Sequence, residues 1–177
     1  MNRENLRLYK LSLDTIIKPF KCSEQELNGF LFEDAKRFQT ELMAVTYIFE
    51  DIEADVTAAY YSLLADKISF NPEEKRMWNH INRKIPNSKR RRTYPAVKIG
   101  RLAVDERYAS CGLGTDIITQ IKYALTETRR IGCRFLTVDA LSSAIPFYEK
   151  NGFLFFSESD KDEETRLMFY DLKNFML

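Results

Sequence analysis

The chain has 177 residues, 45% of them hydrophobic and 13% aromatic, which is enough to bury a core and too apolar for a disordered segment. Its 27 Lys and Arg offset 26 Asp and Glu to leave a net charge of +1, which excludes a surface given over as a whole to nucleic acid, and DNA is not expected as a partner. Cys22, Cys111, Cys133 and the sole histidine, His80, form neither a disulfide framework nor a zinc-ligand pattern, and no unbroken apolar stretch marks a signal peptide or membrane span. Free thiols, no metal, no membrane and a cytoplasmic location are the expectations.

No repeat or low-complexity linker divides residues 1–177, so a single domain of mixed α/β class is expected. A first strand falls within Leu6 to Leu13. Ser23-Glu24-Gln25-Glu26 reads as a capping box ahead of Leu27, Phe30, Leu31, Ala35 and Phe38, which recur at helical period. Met43 to Phe49 and Val56 to Leu64 are rich in strand formers and make a hairpin around an acidic turn. Asn71-Pro72-Glu73-Glu74 predicts the N-cap and acidic first turn of a short helix that turns Met77, Trp78 and Ile81 inward, with His80 in a structural role on it.

The stretch from Arg83 to Pro95, with Pro86, Asn87, Ser88 and Lys89-Arg90-Arg91-Arg92, reads as an exposed loop, and a strand resumes over Ala96 to Val104. Ile117, Ile118, Ile121 and Leu125 mark one face of a long helix ending near Arg129, Arg130 and a C′ Gly132. A strand over Arg134 to Asp139, a helix capped by Ser142 or Ser143 and stopped by Gly152, and a hairpin of Phe153 to Phe156 with Arg166 to Leu172 complete a βαββαβαβαββ order.

The chemistry concentrates where Leu102-Ala103-Val104 runs through a turn into Gly112-Leu113-Gly114-Thr115. A helix start offers unpaired N–H groups and partial positive charge, and glycine lets a phosphate approach the main chain, so the segment suits a pyrophosphate. The dinucleotide-binding fingerprint is not met, because Ile117 stands where its third glycine belongs and the motif lies mid-chain behind a hairpin.

Ile99-Gly100-Arg101-Leu102-Ala103-Val104-Asp105, the Gly112-Leu113-Gly114 turn, Val138-Asp139-Ala140-Leu141 and Phe147-Tyr148-Glu149-Lys150-Asn151-Gly152-Phe153 together resemble the GNAT N-acetyltransferase superfamily. Phe20-Lys21-Cys22 with Leu27-Asn28 and Leu31 is similar to the opening of its bacterial toxin branch, which acetylates aminoacyl-tRNA. The resemblance implies a central mixed, splayed, mostly antiparallel sheet of six to seven strands flanked by helices, and acetyl-CoA or another acyl-CoA as cofactor. It implies that pantetheine pairs with Leu102, Ala103 and Val104, and that Ala109, Ser110, Cys111, Gly112, Leu113, Gly114 and Thr115 take the pyrophosphate. Phe147 would also contact the cofactor, and Tyr148 would be the general acid for the CoA thiolate.

The turn departs from the family pattern, which places Gln or Arg at Ala109, glycine at Ser110 and a basic or polar residue at Cys111; either the backbone amides carry the binding instead, or the affinity for acetyl-CoA is weakened or a different acyl-CoA is taken. Cys111 reads as a turn residue, not a nucleophile. The toxin branch further implies a homodimer and a small antitoxin partner. An α-amine near pKa 8 needs at most a water relay to lose its proton, whereas a lysine near 10.4 needs a base that this sequence does not display. That favours an α-amine acceptor such as charged tRNA, with Arg83, Lys84, Lys89, Arg90, Arg91 and Arg92 as candidate RNA contacts. The alternatives are a housekeeping enzyme acetylating a peptide or small amine, and a catalytically degenerate binding protein of the same fold.

Overall fold

The computed structural model describes residues 3–86, 91–128 and 131–176. Seven strands form one sheet in the order β1-β2-β3-β4-β5-β7-β6. They are β1 (Leu6–Lys10), β2 (Val45–Asp51), β3 (Val56–Ser69), β4 (Thr93–Val104), β5 (Phe135–Leu141), β6 (Leu154–Phe155) and β7 (Thr165–Asp171). Between them run α1 (Gln25–Gly29), a π-helical turn (Phe30–Asp34), α2 (Ala35–Thr40), α3 (Lys75–Arg83), α4 (Leu113–Glu127) and α5 (Ile145–Lys150). Counting the run from α1 to α2 as one helix, this is the order expected from the sequence. The pairs β1·β2, β2·β3, β5·β7 and β6·β7 are antiparallel.

The chain divides into two compact units, one of residues 1–64 and 99–120, the other of residues 65–98 and 121–177. In the first, Phe30, Leu31 and Ala35 are buried with Ile48 of β2, Tyr60 of β3 and Ala103 of β4. The π turn serves this packing: residues five apart share a face there, so Phe30 and Ala35 both point inward. Tyr60 hydroxyl donates to Leu27 O at 2.7 Å, which satisfies a buried phenol while fixing the helix on the strand. The Ser23 capping box does not form. Glu24 is the N-cap and makes no side-chain cap bond. Instead Cys22 N donates to Asn28 Oδ1 (2.8 Å) and Asn28 Nδ2 donates to Cys22 O (2.9 Å), so Asn28 reaches back and pins the chain as it enters the helix.

In the second unit α3 lays Trp78 and Ile81 against Tyr94, Phe135 and Phe169, with Trp78 stacked on Tyr94 at 5.3 Å. Asn71 caps, by accepting from Glu73 N, the 3-10 turn Pro72–Glu74 that runs into this helix, while α3 itself starts after Glu74 with no side-chain cap bond. Several boundaries and caps differ from the sequence expectation. β3 runs on to Ser69 and β4 starts at Thr93, because Tyr94 and Ala96 alternate inward around an exposed Pro95 whose carbonyl accepts from Arg134 N. Neither Ser142 nor Ser143 caps α5: the chain leaves β5 through a 3-10 turn, Ser142–Ala144, and Ala144 is the N-cap. Gly132 lacks the left-handed backbone of a C′ residue, which among the described glycines Gly112 and Gly152 adopt, while Arg129 and Arg130 lie outside the described residues.

Candidate functional site

The cradle lies wholly in the first unit. β4 ends on Leu102, Ala103 and Val104, and Asp105, 1% exposed, takes over. Its carboxylate accepts from Lys21 N (2.8 Å), Arg107 N (3.0 Å) and the Arg107 guanidinium (2.6 and 2.8 Å), while its own N–H donates to Ala58 O of β3 at 2.9 Å. Burial alone would raise the Asp105 pKa; Arg107 and the two amides outweigh it, and the pKa is lowered. A second buried bond, Tyr108 hydroxyl to Asp51 Oδ2 at 2.8 Å, ties the same turn to the end of β2, where Asp51 also accepts from Glu53 N and Ala54 N. Burial and then Asp51 push the Tyr108 phenol up to about 12. The turn is therefore held rigidly at its base before it reaches the residues expected to bind.

Beyond Tyr108, Ala109 and Ser110 are exposed, and Cys111 is exposed with its thiol donating to Tyr108 O at 2.8 Å. That bond fits the turn role expected of Cys111. Ser110 has φ 59° and Gly112 φ 86°, so the chain coils back on itself into a concave loop of N–H groups. Ser110 holds a left-handed conformation in which glycine, the residue of the family pattern, carries no Cβ penalty. The first helical bond of α4 is Asp116 N to Gly112 O (3.1 Å), so the amides of Leu113, Gly114 and Thr115 precede any intrahelical acceptor and face the N-terminal side of a 15-residue helix. A diphosphate group fits this arrangement, because the donors are main-chain and Gly112 and Gly114 put no side chain over them.

Tyr148 and Phe147 lie on α5, in the second unit. Tyr148 is 6% exposed, and burial raises its phenol pKa above the usual value. The helix ends in a Schellman motif: Gly152 N donates to Glu149 O (2.8 Å) and Phe153 N to Tyr148 O (3.0 Å), with Gly152 at φ 81°. Phe153 closes the motif against Tyr148, ring centroids 5.3 Å apart. Gly152 thus stops the helix, as the sequence indicates. A Cβ there would also stand 3.1 Å from Tyr170 Cε2. Gly152→Ala is expected to cost about 1–2 kcal/mol, the left-handed penalty for a residue with a Cβ. A thermal melt should show Tm lower by roughly 2–8 °C, at about 2–4 °C per kcal/mol for a chain of this size.

Of the candidate RNA contacts, Arg83, Lys84, Arg91 and Arg92 are exposed, and Lys89 and Arg90 lie outside the described residues. Arg83 closes α3, where Arg76, Asn79 and the exposed His80 line a surface groove with it. Sequence reasoning missed the buried charges, Asp105 and Lys122 among them. Asp105 had a signal, an Asx-type cap straight after an apolar strand. Lys122 had one too: it follows Ile118 by four residues, on the inward face of α4, and is 6% exposed. All three cysteines are free thiols. Among the described residues no group of three or more His, Cys, Asp or Glu could hold a metal, and no helix is long and apolar enough to cross a membrane.

Residues 81–154 match the family model of the acetyltransferase (GNAT) domain. Among solved structures, a tyrosine-to-phenylalanine mutant of the AtaT toxin, bound to the C-terminus of the antitoxin AtaR and acetyl-CoA, superposes with a TM-score of 0.73 at 22% identity, covering 96% of this chain and 95% of that one. AtaT complexed with acetyl-methionyl-tRNAfMet gives 0.74 at 23% identity over 97% of each chain. The KacTA–DNA complex gives 0.71 at 23% identity, over 97% of this chain and 96% of that one. At these identities the likeness carries the fold. A DNA-bound neighbour weighs against excluding DNA on a net charge of +1 alone.

Proposed function

We propose, for a chain that has the GNAT acetyltransferase fold, that it is an acetyl-CoA-dependent N-acetyltransferase whose acceptor is the α-amine of aminoacyl-tRNA. The observation that carries this reading is the braced turn from Asp105 to Gly112 leading into the open amides of α4. Leu102, Ala103 and Val104 would hold pantetheine by main-chain pairing, and Ala109 to Thr115 the pyrophosphate, with Phe147 a further cofactor contact. Bound acetyl-CoA supplies an acetyl group activated as a thioester. Tyr148, a phenol that holds its proton at neutral pH and whose pKa burial raises further, gives that proton to the sulfur of the leaving thiolate. The burial that weakens the phenol as an acid also raises the proton affinity of a thiolate formed in the same surroundings, so the transfer stays close to balanced.

An α-amine acceptor asks least of the protein, since a water relay suffices to deprotonate it. Exposed Arg83, Lys84, Arg91 and Arg92, with Lys89 and Arg90 between them in sequence, supply the cationic surface that RNA phosphates need. The tRNA-bound and antitoxin-bound AtaT neighbours support the same acceptor class and a small antitoxin partner, and the toxin-like reading carries with it a homodimer in the cytoplasm of a bacterium. Transfer of labelled acetyl from acetyl-CoA to a pool of charged tRNA tests the reading. Label on the aminoacyl group is expected. Unlabelled tRNA alongside labelled peptides or small amines would overturn the acceptor assignment while leaving an acetyltransferase.

A further inference from the structure

Tyr148 sits on a helix of six residues, too short to hold its own shape without tertiary support. The carbonyls of Phe147, Tyr148 and Glu149 near its C-terminal end are all bonded. Phe147 O accepts from Asn151 N (3.2 Å) and Asn151 Nδ2 (2.8 Å), Tyr148 O from Asn151 N and Phe153 N (both 3.0 Å), and Glu149 O from Gly152 N (2.8 Å). Just past the helix, Asn151 O takes Lys122 Nζ at 2.7 Å. The ammonium lies 3.5 Å from the centroid of Tyr170 and 5.5 Å from that of Phe153, the ring that itself packs on Tyr148. A cation at this position complements the negative end of the α5 dipole and the faces of two aromatic rings.

This resting place is costly for a charge: burial lowers the Lys122 pKa to about 8. An apolar side chain of the same length would fill the space without that cost, but could not bond Asn151 O or draw Tyr170 and Phe153 together.

We propose that Lys122 is a positioning residue for the proton donor, clamping the end of α5 through Asn151, Phe153 and Tyr170 so that Tyr148 is held in one orientation. The inference rests on the reading of Tyr148 as general acid. Lys122 touches no reacting atom; its action passes through Phe153 and the Schellman turn.

Two measurements on Lys122→Met, Lys122→Arg, Tyr148→Phe and the double variant Lys122→Met/Tyr148→Phe decide it. In the free protein, hydrogen exchange at the amides of Asn151, Gly152 and Phe153 should quicken about tenfold in Lys122→Met and stay near wild type in Lys122→Arg. In acetyl transfer, Lys122→Met should lower kcat about tenfold with KM for acetyl-CoA unchanged, Lys122→Arg should restore it, and Lys122→Met should cost nothing further on the Tyr148→Phe background. Lys122→Gln, which keeps an N–H donor without the charge, is the second variant should Lys122→Met not fold, with the same kinetic split expected.

Unchanged exchange at the three amides overturns the clamp. A loss of kcat that multiplies with that of Tyr148→Phe overturns positioning through Tyr148. Full activity in Tyr148→Phe alone overturns the general-acid reading and with it the role of Lys122, while the exchange rates still report whether the clamp exists.

Discussion

Tyr148→Phe should reduce acetyl transfer by about 10²–10³-fold, within the range for loss of a general acid, while the Kd for acetyl-CoA stays within about twofold of wild type. The substitution removes one hydroxyl from a ring that is 6% exposed and packed between Phe147 and Phe153, ring centroids 5.0 and 5.3 Å away. The aromatic contacts remain, so the Schellman turn and the fold remain, and Tm should move by only a few degrees. A loss confined to kcat is what a proton donor gives; a parallel loss of Tm and of affinity would instead mark Tyr148 as a core aromatic. Single-turnover rates with preloaded acetyl-CoA separate the two, because they bypass binding.

The second large effect is expected from Thr115→Asp. Thr115 stands third in α4, half-buried, with its carbonyl accepting from Thr119 Oγ1 at 2.9 Å, so an aspartate of nearly the same size keeps the helix and adds one negative charge at its positive end. On stability the charge is favourable by about 0.3–1 kcal/mol through the helix dipole. On a bound pyrophosphate it is repulsive: two unit charges about 4 Å apart at an effective dielectric near 20 interact by about 4 kcal/mol, and solvent at this half-buried position leaves about 2 kcal/mol. That corresponds to roughly a 30-fold weaker Kd for acetyl-CoA. The two effects have opposite signs, so a melt and a titration on one sample tell a lost site from a damaged protein. Unchanged affinity would move the pyrophosphate away from α4.

Element order was legible in the sequence because period and turn chemistry agree along most of the chain: Asn71 caps the 3-10 turn that leads into α3, and Gly152 ends α5. What failed was local choice between neighbouring polar residues. Ser23 fits a capping box by spacing, yet Asn28 takes over the entry to α1, since an amide can both donate and accept and closes two bonds with Cys22. Ser142 and Ser143 lost the cap of α5 because β5 runs through Leu141 and leaves them in a 3-10 turn.

At the candidate site, the glycines and Tyr148 could be named from spacing and resemblance. The residues that hold them could not. Asp105 gathers Lys21 and Arg107, one of them 84 residues away in sequence, and Lys122 reaches from α4 to Asn151, 29 residues on. Buried charges of this kind are defined by tertiary partners, which no single sequence window contains.

The central claim is that the turn and helix from Asp105 to Thr115 bind acetyl-CoA, and calorimetric titration of the wild-type protein tests it most directly. The account predicts saturable binding at one site per chain, displaced by free CoA and weakened by Thr115→Asp. No heat of binding at saturating acetyl-CoA, with the protein folded by its melt, would contradict it.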